Sequence, residues 1–243
     1  MFDTATIEEI EVSKPKLRTR RRAPLPLNFE ARADMGKPEV RVPATFEEYL
    51  DLSADCDYRV FYRNGQIISF IEIDETTKTI MGEATVTHER MVARIIHFLT
   101  EILGYDSDYQ VMGSNAKIFI GEERKGYNAD VVVVEGAIQL RACKHNKRTS
   151  KGISNAHIIV EILSKSTRNF DLTEKLEDYK QIPSLQQIIY FDQANVWAST
   201  YIRKTTNEWL NIDYKSLTDS ITVKDGFIDL EKVYSKIFEG VEK

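Results

Sequence analysis

Glu161 stands inside the apolar run His157–Leu163 (HIIVEIL), and this acid narrows what the chain can fold into. A run rich in isoleucine and valine, without polar alternation, has the pattern of a strand covered on both faces. An ionised carboxylate there is costly unless a cation or a hydrogen-bond network holds it. The sequence offers a cation nearby. A helix is expected beyond a short polar loop, with Asp171 as N-cap and Glu174 at capping-box spacing. Leu172, Lys175, Leu176 and Tyr179 fall on one face of that helix by three-and-four spacing. Lys175 is then the cation on an otherwise apolar face. A buried acid and an inward-facing lysine joined by a short loop suit an active site better than a plain core.

A second buried strand is expected at Val131–Val134, four consecutive valines, with Asp130 at its entrance. Taken alone, Asp130 reads as a turn residue. Two carboxylates on adjacent buried strands plus a lysine are what metal-dependent phosphodiester cleavage needs. Carboxylates hold Mg²⁺ through hard oxygen ligands. The metal polarises a phosphoryl oxygen and helps generate hydroxide. A lysine stabilises charge on the phosphate or orients the attacking water.

The surrounding pattern is a layered α/β domain, a mixed β-sheet flanked by helices with extra β-hairpins. Thr45 and Glu48 have capping-box spacing and open a short helix through Leu52. Tyr58–Tyr62 and Gln66–Glu72 read as a hairpin across Asn64-Gly65, and Thr79–Val86 as a further strand. Thr87–Leu103 is the best long helix, ended by Gly104, with His88 on its apolar stripe. Its bland reading is a packed helix-end residue. Tyr109–Ile120 reads as a strand or hairpin arm, and Arg141–Lys151 as a basic loop. Val196–Ile202 with Glu208–Tyr214, and Ile221–Val223 with Phe227–Leu230, read as hairpins before a terminal helix from Leu230 to Phe238. Residues 1–44 carry the basic run Lys14, Lys16, Arg18 and Arg20–Arg22 and read as a flexible arm ahead of a domain spanning 45–243.

Composition sets the outer limits. A net charge of −5 argues against a surface that clings to nucleic acid all over, but allows one local groove. Apolar runs are strand-sized and no secretory h-region is visible, so no membrane partner and a cytoplasmic location are expected. Cys56 and Cys143 are too few for a disulfide scaffold or a zinc site.

The chain from about Thr45 to about Ile237 resembles the Uma-two family of restriction-endonuclease-like proteins, within the PD-(D/E)xK nuclease superfamily. The carrying motifs are Ala129-Asp130-Val131-Val132-Val133 and the run from Val160 to Arg168, followed by Asp171, Lys175 and Tyr179. Ile182-Pro183-Ser184-Leu185 and Ile189-Tyr190-Phe191-Asp192 continue the match, and His88 sits where the family tends to have a histidine. The resemblance implies Asp130 and Glu161 as metal-binding acids, with the peptide carbonyl of Ile162 as a further ligand. It implies Mg²⁺, or Mn²⁺, as cofactor. The usual lysine position, two after the glutamate, is Leu163 here, and the family is thought to move that lysine to the next helix, at Lys175. His88, Ser164, Thr167, Asp171 and Tyr179 are the accessory candidates. Ala129 stands where a proline is usual, and around Tyr58-Arg59-Val60 the family often has a Tyr-Glu pair. The expected activity is endonucleolytic hydrolysis of DNA, with DNA held in a local groove and a homodimer allowed. The alternative is a catalytically idle DNA-binding or protein-interaction module that retains the fold.

Overall fold

The computed structural model describes residues 39–56, 59–73, 78–80, 85–113, 116–121, 125–145 and 148–239. The first elements are β1 (Glu39–Pro43), α1 (Phe46–Asp55), β2 (Phe61–Arg63), β3 (Gln66–Ile73) and β4 (Lys78–Ile80). β1 lies within the stretch 1–44 read as an arm and pairs antiparallel with β3 over five positions. Thr45 caps α1 through the expected capping box: the Glu48 amide donates to Thr45 Oγ1 at 3.1 Å, and the Thr45 amide donates to Glu48 Oε2 at 2.7 Å. Asn64 and Gly65 take positive φ, 50° and 75°. Both angles suit the tight turn joining β2 to β3. Tyr58 and residues 74–77 fall outside the described residues, as do 81–84 of the expected strand Thr79–Val86.

The chain continues with α2 (Val86–Leu103), β5 (Tyr109–Met112), β6 (Ala116–Ile120), β7 (Lys125–Ala129), β8 (Val131–Glu135), β9 (Leu140–His145), β10 (Arg148–Ile153) and β11 (Ile158–Leu163). Next comes α3, which runs as Arg168–Phe170, a π-wound Asp171–Lys175 and Leu176–Tyr179. The last elements are β12 (Gln187–Asp192), β13 (Ala198–Arg203), β14 (Trp209–Tyr214), β15 (Ser220–Val223), β16 (Gly226–Asp229) and α4 (Leu230–Tyr234).

These strands form two large sheets and a separate hairpin. An eight-stranded sheet has the order β1-β3-β2-β7-β6-β10-β9, with β4 beside β3. A six-stranded sheet has the order β14-β13-β12-β11-β8-β5, and β15 pairs with β16 alone. The pairs β6–β10 and β11–β12 are parallel, which makes both large sheets mixed. Tyr109–Ile120 is not one arm but two strands in different sheets. Arg141–Lys151 is not a loop: it lies within the antiparallel pair β9–β10. Its charges hid a pairing that needs no apolar alternation at a sheet edge.

Three apolar layers result. Phe46, Tyr49 and Leu50 of α1 cover one face of the eight-stranded sheet with Tyr62, Ile67 and Phe119. Met91, Ile95 and Leu99 of α2 cover the far face of the six-stranded sheet together with Ile221, Ile228 and Val233. Between the sheets, Val132, Val134, Ile159 and Leu163 meet Phe61, Phe70, Ile120 and Tyr127, and α3 inserts Phe170, Leu176 and Tyr179. Val131–Val134 and Ile158–Leu163 are neighbours in the interior of one sheet, as their unbroken apolar runs require. Among the described residues no helix is long and apolar enough to cross a membrane.

Candidate active site

Asp130 is the one residue between β7, in the first sheet, and β8, in the second. The chain changes sheets there, and a non-strand residue at that point frees a side chain to turn inward. Asp130 is 3% exposed. Its Oδ2 accepts the backbone N–H of Ile162 at 2.8 Å and lies 3.1 Å from His88 Nε2; its Oδ1 lies 3.4 Å from Arg59 Nη1. His88 is placed by the start of α2, where the Thr85 hydroxyl accepts its amide at 3.1 Å. Its other ring nitrogen is 3.3 Å from Glu89 Oε1.

Val131 pairs with Val160 in the β8–β11 ladder. Continued by one residue, this antiparallel register sets Glu161 across from Asp130. Lys175 Nζ lies 2.8 Å from Glu161 Oε1 and 3.2 Å from Asp171 Oδ1. The Tyr179 hydroxyl donates to Glu161 Oε1 at 2.5 Å. Lys175 therefore faces inward, as the helical spacing predicted, and its ammonium also sits over the rings of Phe61 and Tyr179 at 5.1 and 5.7 Å.

The expected start of the helix changes. Asp171 is not an N-cap. The chain is already helical at Arg168, and the Asp171 amide bonds the Thr167 carbonyl at 2.9 Å. Its carboxylate turns to Lys175 instead. Ser164 and Thr167 build the turn from β11 into α3, through a 2.9 Å contact between their hydroxyls and a 3.3 Å bond from the Thr167 amide to Ser164 Oγ. This early turn is what displaced the expected cap. The groove lined by Glu135, Asn155, His157 and Gln186 opens at the opposite end of β8 and β11 and takes no part in the site.

A second buried cluster went unseen in the sequence. Asp178 is fully buried and is held by Lys125 Nζ at 2.8 Å, Arg63 Nε at 2.8 Å and the Tyr127 hydroxyl. Glu174 accepts from Arg41 at 2.5 and 3.0 Å and from Arg63 at 2.9 Å. These partners lie 51 to 133 residues away along the chain, so no local spacing could reveal them. Arg59 was likewise noted only as a departure from the family pattern.

Burial drives the Glu161 carboxyl up to about 7; Lys175 opposes the rise, and the charges of Asp130 and Asp171 add to it. Burial also pushes Asp130 up, but the hydrogen bond and charge of His88, with Arg59 and the Ile162 amide, outweigh it and hold Asp130 low. Burial lowers His88, and Asp130 outweighs that and raises it. Burial likewise opposes the charge on Lys175, and the nearby Asp171 and Glu161 carboxylates outweigh it.

Among the described residues no group of three or more His, Cys, Asp and Glu side chains is placed to hold a metal. Mg²⁺ does not demand such a cage, because it commonly keeps several waters and takes one or two carboxylates. Two buried carboxylates across one register position, each already in contact with cationic groups, form a hard-oxygen donor pair that fits it.

Comparisons with known proteins agree with the fold. A family model described as "Uma2: Putative restriction endonuclease" matches residues 46–233. The chain is 26% identical over 142 residues to "Uncharacterized protein sll1609" of Synechocystis sp., across 56% of this chain and 77% of that one. The crystal structure of "a putative nuclease belonging to DUF820" from Anabaena variabilis superposes with a TM-score of 0.57 at 13% identity. That match covers 80% of this chain and 99% of the other, and it shows the shared mixed α/β fold.

Proposed function

The chain belongs to the Uma2 restriction-endonuclease family, and on that premise we propose that it is a metal-dependent endonuclease hydrolysing phosphodiester bonds in DNA. The observation that carries this reading is the placement of Lys175 and Tyr179 on Glu161, one register position across from Asp130. A purely structural acid in a core would be matched by its cation. Here Lys175 is shared between Glu161 and Asp171, and Asp130 lies close enough to raise Glu161 further.

Asp130, Glu161 and the carbonyl of Ile162 would hold Mg²⁺ or Mn²⁺. When bound, the ion supplies Lewis acidity toward a phosphoryl oxygen and lowers the pKa of a bound water. The chain's own residues do the rest. Lys175 fixes a positive charge beside Glu161, where it stabilises charge on the scissile phosphate. Tyr179 holds one Glu161 oxygen, leaving the carboxylate little rotational freedom. His88 and the Ile162 amide orient Asp130 in the same way.

The test is cleavage by the purified full chain, with Mg²⁺ or Mn²⁺, of supercoiled plasmid, linear duplex, single-stranded DNA and RNA. Wild type cuts DNA, whereas Asp130→Asn and Glu161→Gln do not. No cleavage of any form with either ion, at several pH values, would leave the idle-module reading in its place.

A further inference from the structure

Lys175 and Arg59, the lysine and arginine of this site, are held very differently. Lys175 has a side chain 3% exposed, contacts two carboxylates and lies over two aromatic rings. Arg59 has a side chain 29% exposed and reaches Asp130 Oδ1 from Nη1 at 3.4 Å, a long contact for an ion pair. Its backbone is anchored, because the Arg59 carbonyl accepts the buried Ser69 hydroxyl at 2.8 Å. The root of the side chain is therefore fixed while its head stays at the surface of the site.

Building on the nuclease reading above, we propose that Arg59 is the mobile cation of the site: it covers Asp130 when no metal is bound and moves onto a substrate phosphate when metal binds. Three carboxylates, Asp130, Glu161 and Asp171, face the charges of Arg59, Lys175 and, when protonated, His88. A divalent ion on Asp130 brings two positive charges to the position that Arg59 now neutralises. Like-charge repulsion at that range releases the guanidinium. The released fork carries five N–H donors in a plane and matches a phosphate diester better than a lysine does. The same residue therefore opposes metal binding and favours substrate binding. Metal and DNA together reposition it, with no bond made or broken.

Loss of Arg59 should have two effects of opposite sign, which a structural role would not produce. The experiment uses the full-length chain and the variant Arg59→Gln, with Arg59→Met, which keeps the apolar stem, carrying the same test if the first does not fold. Mn²⁺ binding is measured by calorimetry without DNA. Binding of a short labelled duplex is measured by anisotropy over a range of salt concentrations, with Ca²⁺ present and the duplex checked for intactness. Removing Arg59 should tighten Mn²⁺ about tenfold. It should weaken the duplex about tenfold and lower the slope of log affinity against log salt by about one. If the variant's Mn²⁺ affinity is unchanged or weaker, the competition is refuted. Unchanged duplex affinity and salt slope refute the transfer to phosphate. If wild type shows no more Mn²⁺ binding than Asp130→Asn, the metal-site reading falls along with this one. Tight wild-type Mn²⁺ binding that Arg59→Gln merely reproduces removes Arg59 alone.

Discussion

Asp178 and Glu161 are 0% and 3% exposed, and each meets a lysine at 2.8 Å, yet their surroundings differ in charge balance. Asp178 has Lys125, Arg63 and the Tyr127 hydroxyl around it. Glu161 has Lys175 and Tyr179, but Lys175 is shared with Asp171, and Asp130 stands across the ladder. Both clusters hang on α3, from positions only a few residues apart. At Asp178 two cations meet one acid, and these contacts fasten the helix to the eight-stranded sheet. In the other, acids outnumber fixed cations, and Glu161 answers by holding its proton up to about pH 7. The deficit of positive charge on the Glu161 side of the helix is the one that the proposed metal ion would fill.

Breaking the balanced cluster should have the largest effect. Asp178→Ala removes the buried carboxylate that Lys125 and Arg63 share, and should cost about 3–5 kcal/mol of unfolding free energy. Urea melts would show this. A loss below about 1 kcal/mol would mean that the cluster does not fasten the helix.

Lys175→Met attacks the other cluster and should leave the fold standing, because Glu161 can take up a proton in place of its partner. Cleavage should fall by about 10²–10³, the usual cost of losing one charge aimed at a transition state. Activity equal to wild type in the metal-supplemented assay would remove Lys175 from the reaction.

A third effect is in pH. The folded-state pKa of Glu161 is raised, so the folded chain binds the extra proton. The associated stability is fully present below the unfolded carboxyl pKa, near 4.5, and is lost as pH rises through about 7. The loss is about 3 kcal/mol between those limits. His88 is also raised and adds to the decline, since its stabilisation fades as pH rises through its folded pKa. Urea midpoints at pH 5 and pH 8 should therefore fall more in metal-free wild type than in Glu161→Gln. Equal falls in the two proteins would contradict the deficit at Glu161.

The smallest effect is expected at Lys165, exposed on the turn after β11. Lys165→Met should stay within about 0.5 kcal/mol in stability and keep its cleavage rate, as surface substitutions do. A large loss of cleavage there would transfer the catalytic lysine from α3 to that turn.

What could be read from the sequence is what local repeats encode. The valines of β8 and the isoleucines of β11 showed two buried strands, and helical spacing alone put Lys175 and Tyr179 on the side of Glu161. Asp171 misled because its cap signature is sound, but Ser164 and Thr167 had started the helix earlier. The split into two sheets was illegible because a single residue, Asp130, makes the crossing, and one residue leaves no mark in a periodicity. Asp178 was hidden for a different reason: its lysine is 53 residues away and its arginine 115. Partners of this kind are matters of topology, and a strand edge rich in charge, such as β9–β10, carries no apolar rhythm to betray it.

The long reach of those ion pairs also bears on the order of assembly. Strand β11, helix α3 and strand β12 are consecutive and can come together early, bringing Lys175 to Glu161 over 14 residues of chain. The pairs that seat the other side of α3 close loops of 53 to 133 residues, from Lys125 back to Arg41. Contacts of that span repay their entropy only after most of the chain is in place. The helix is thus docked on one sheet before the second clamps it, and Asp130, at the crossing between the sheets, takes its final position with that last closure. A chain part-way through folding carries the lysine and one acid but not the complete centre.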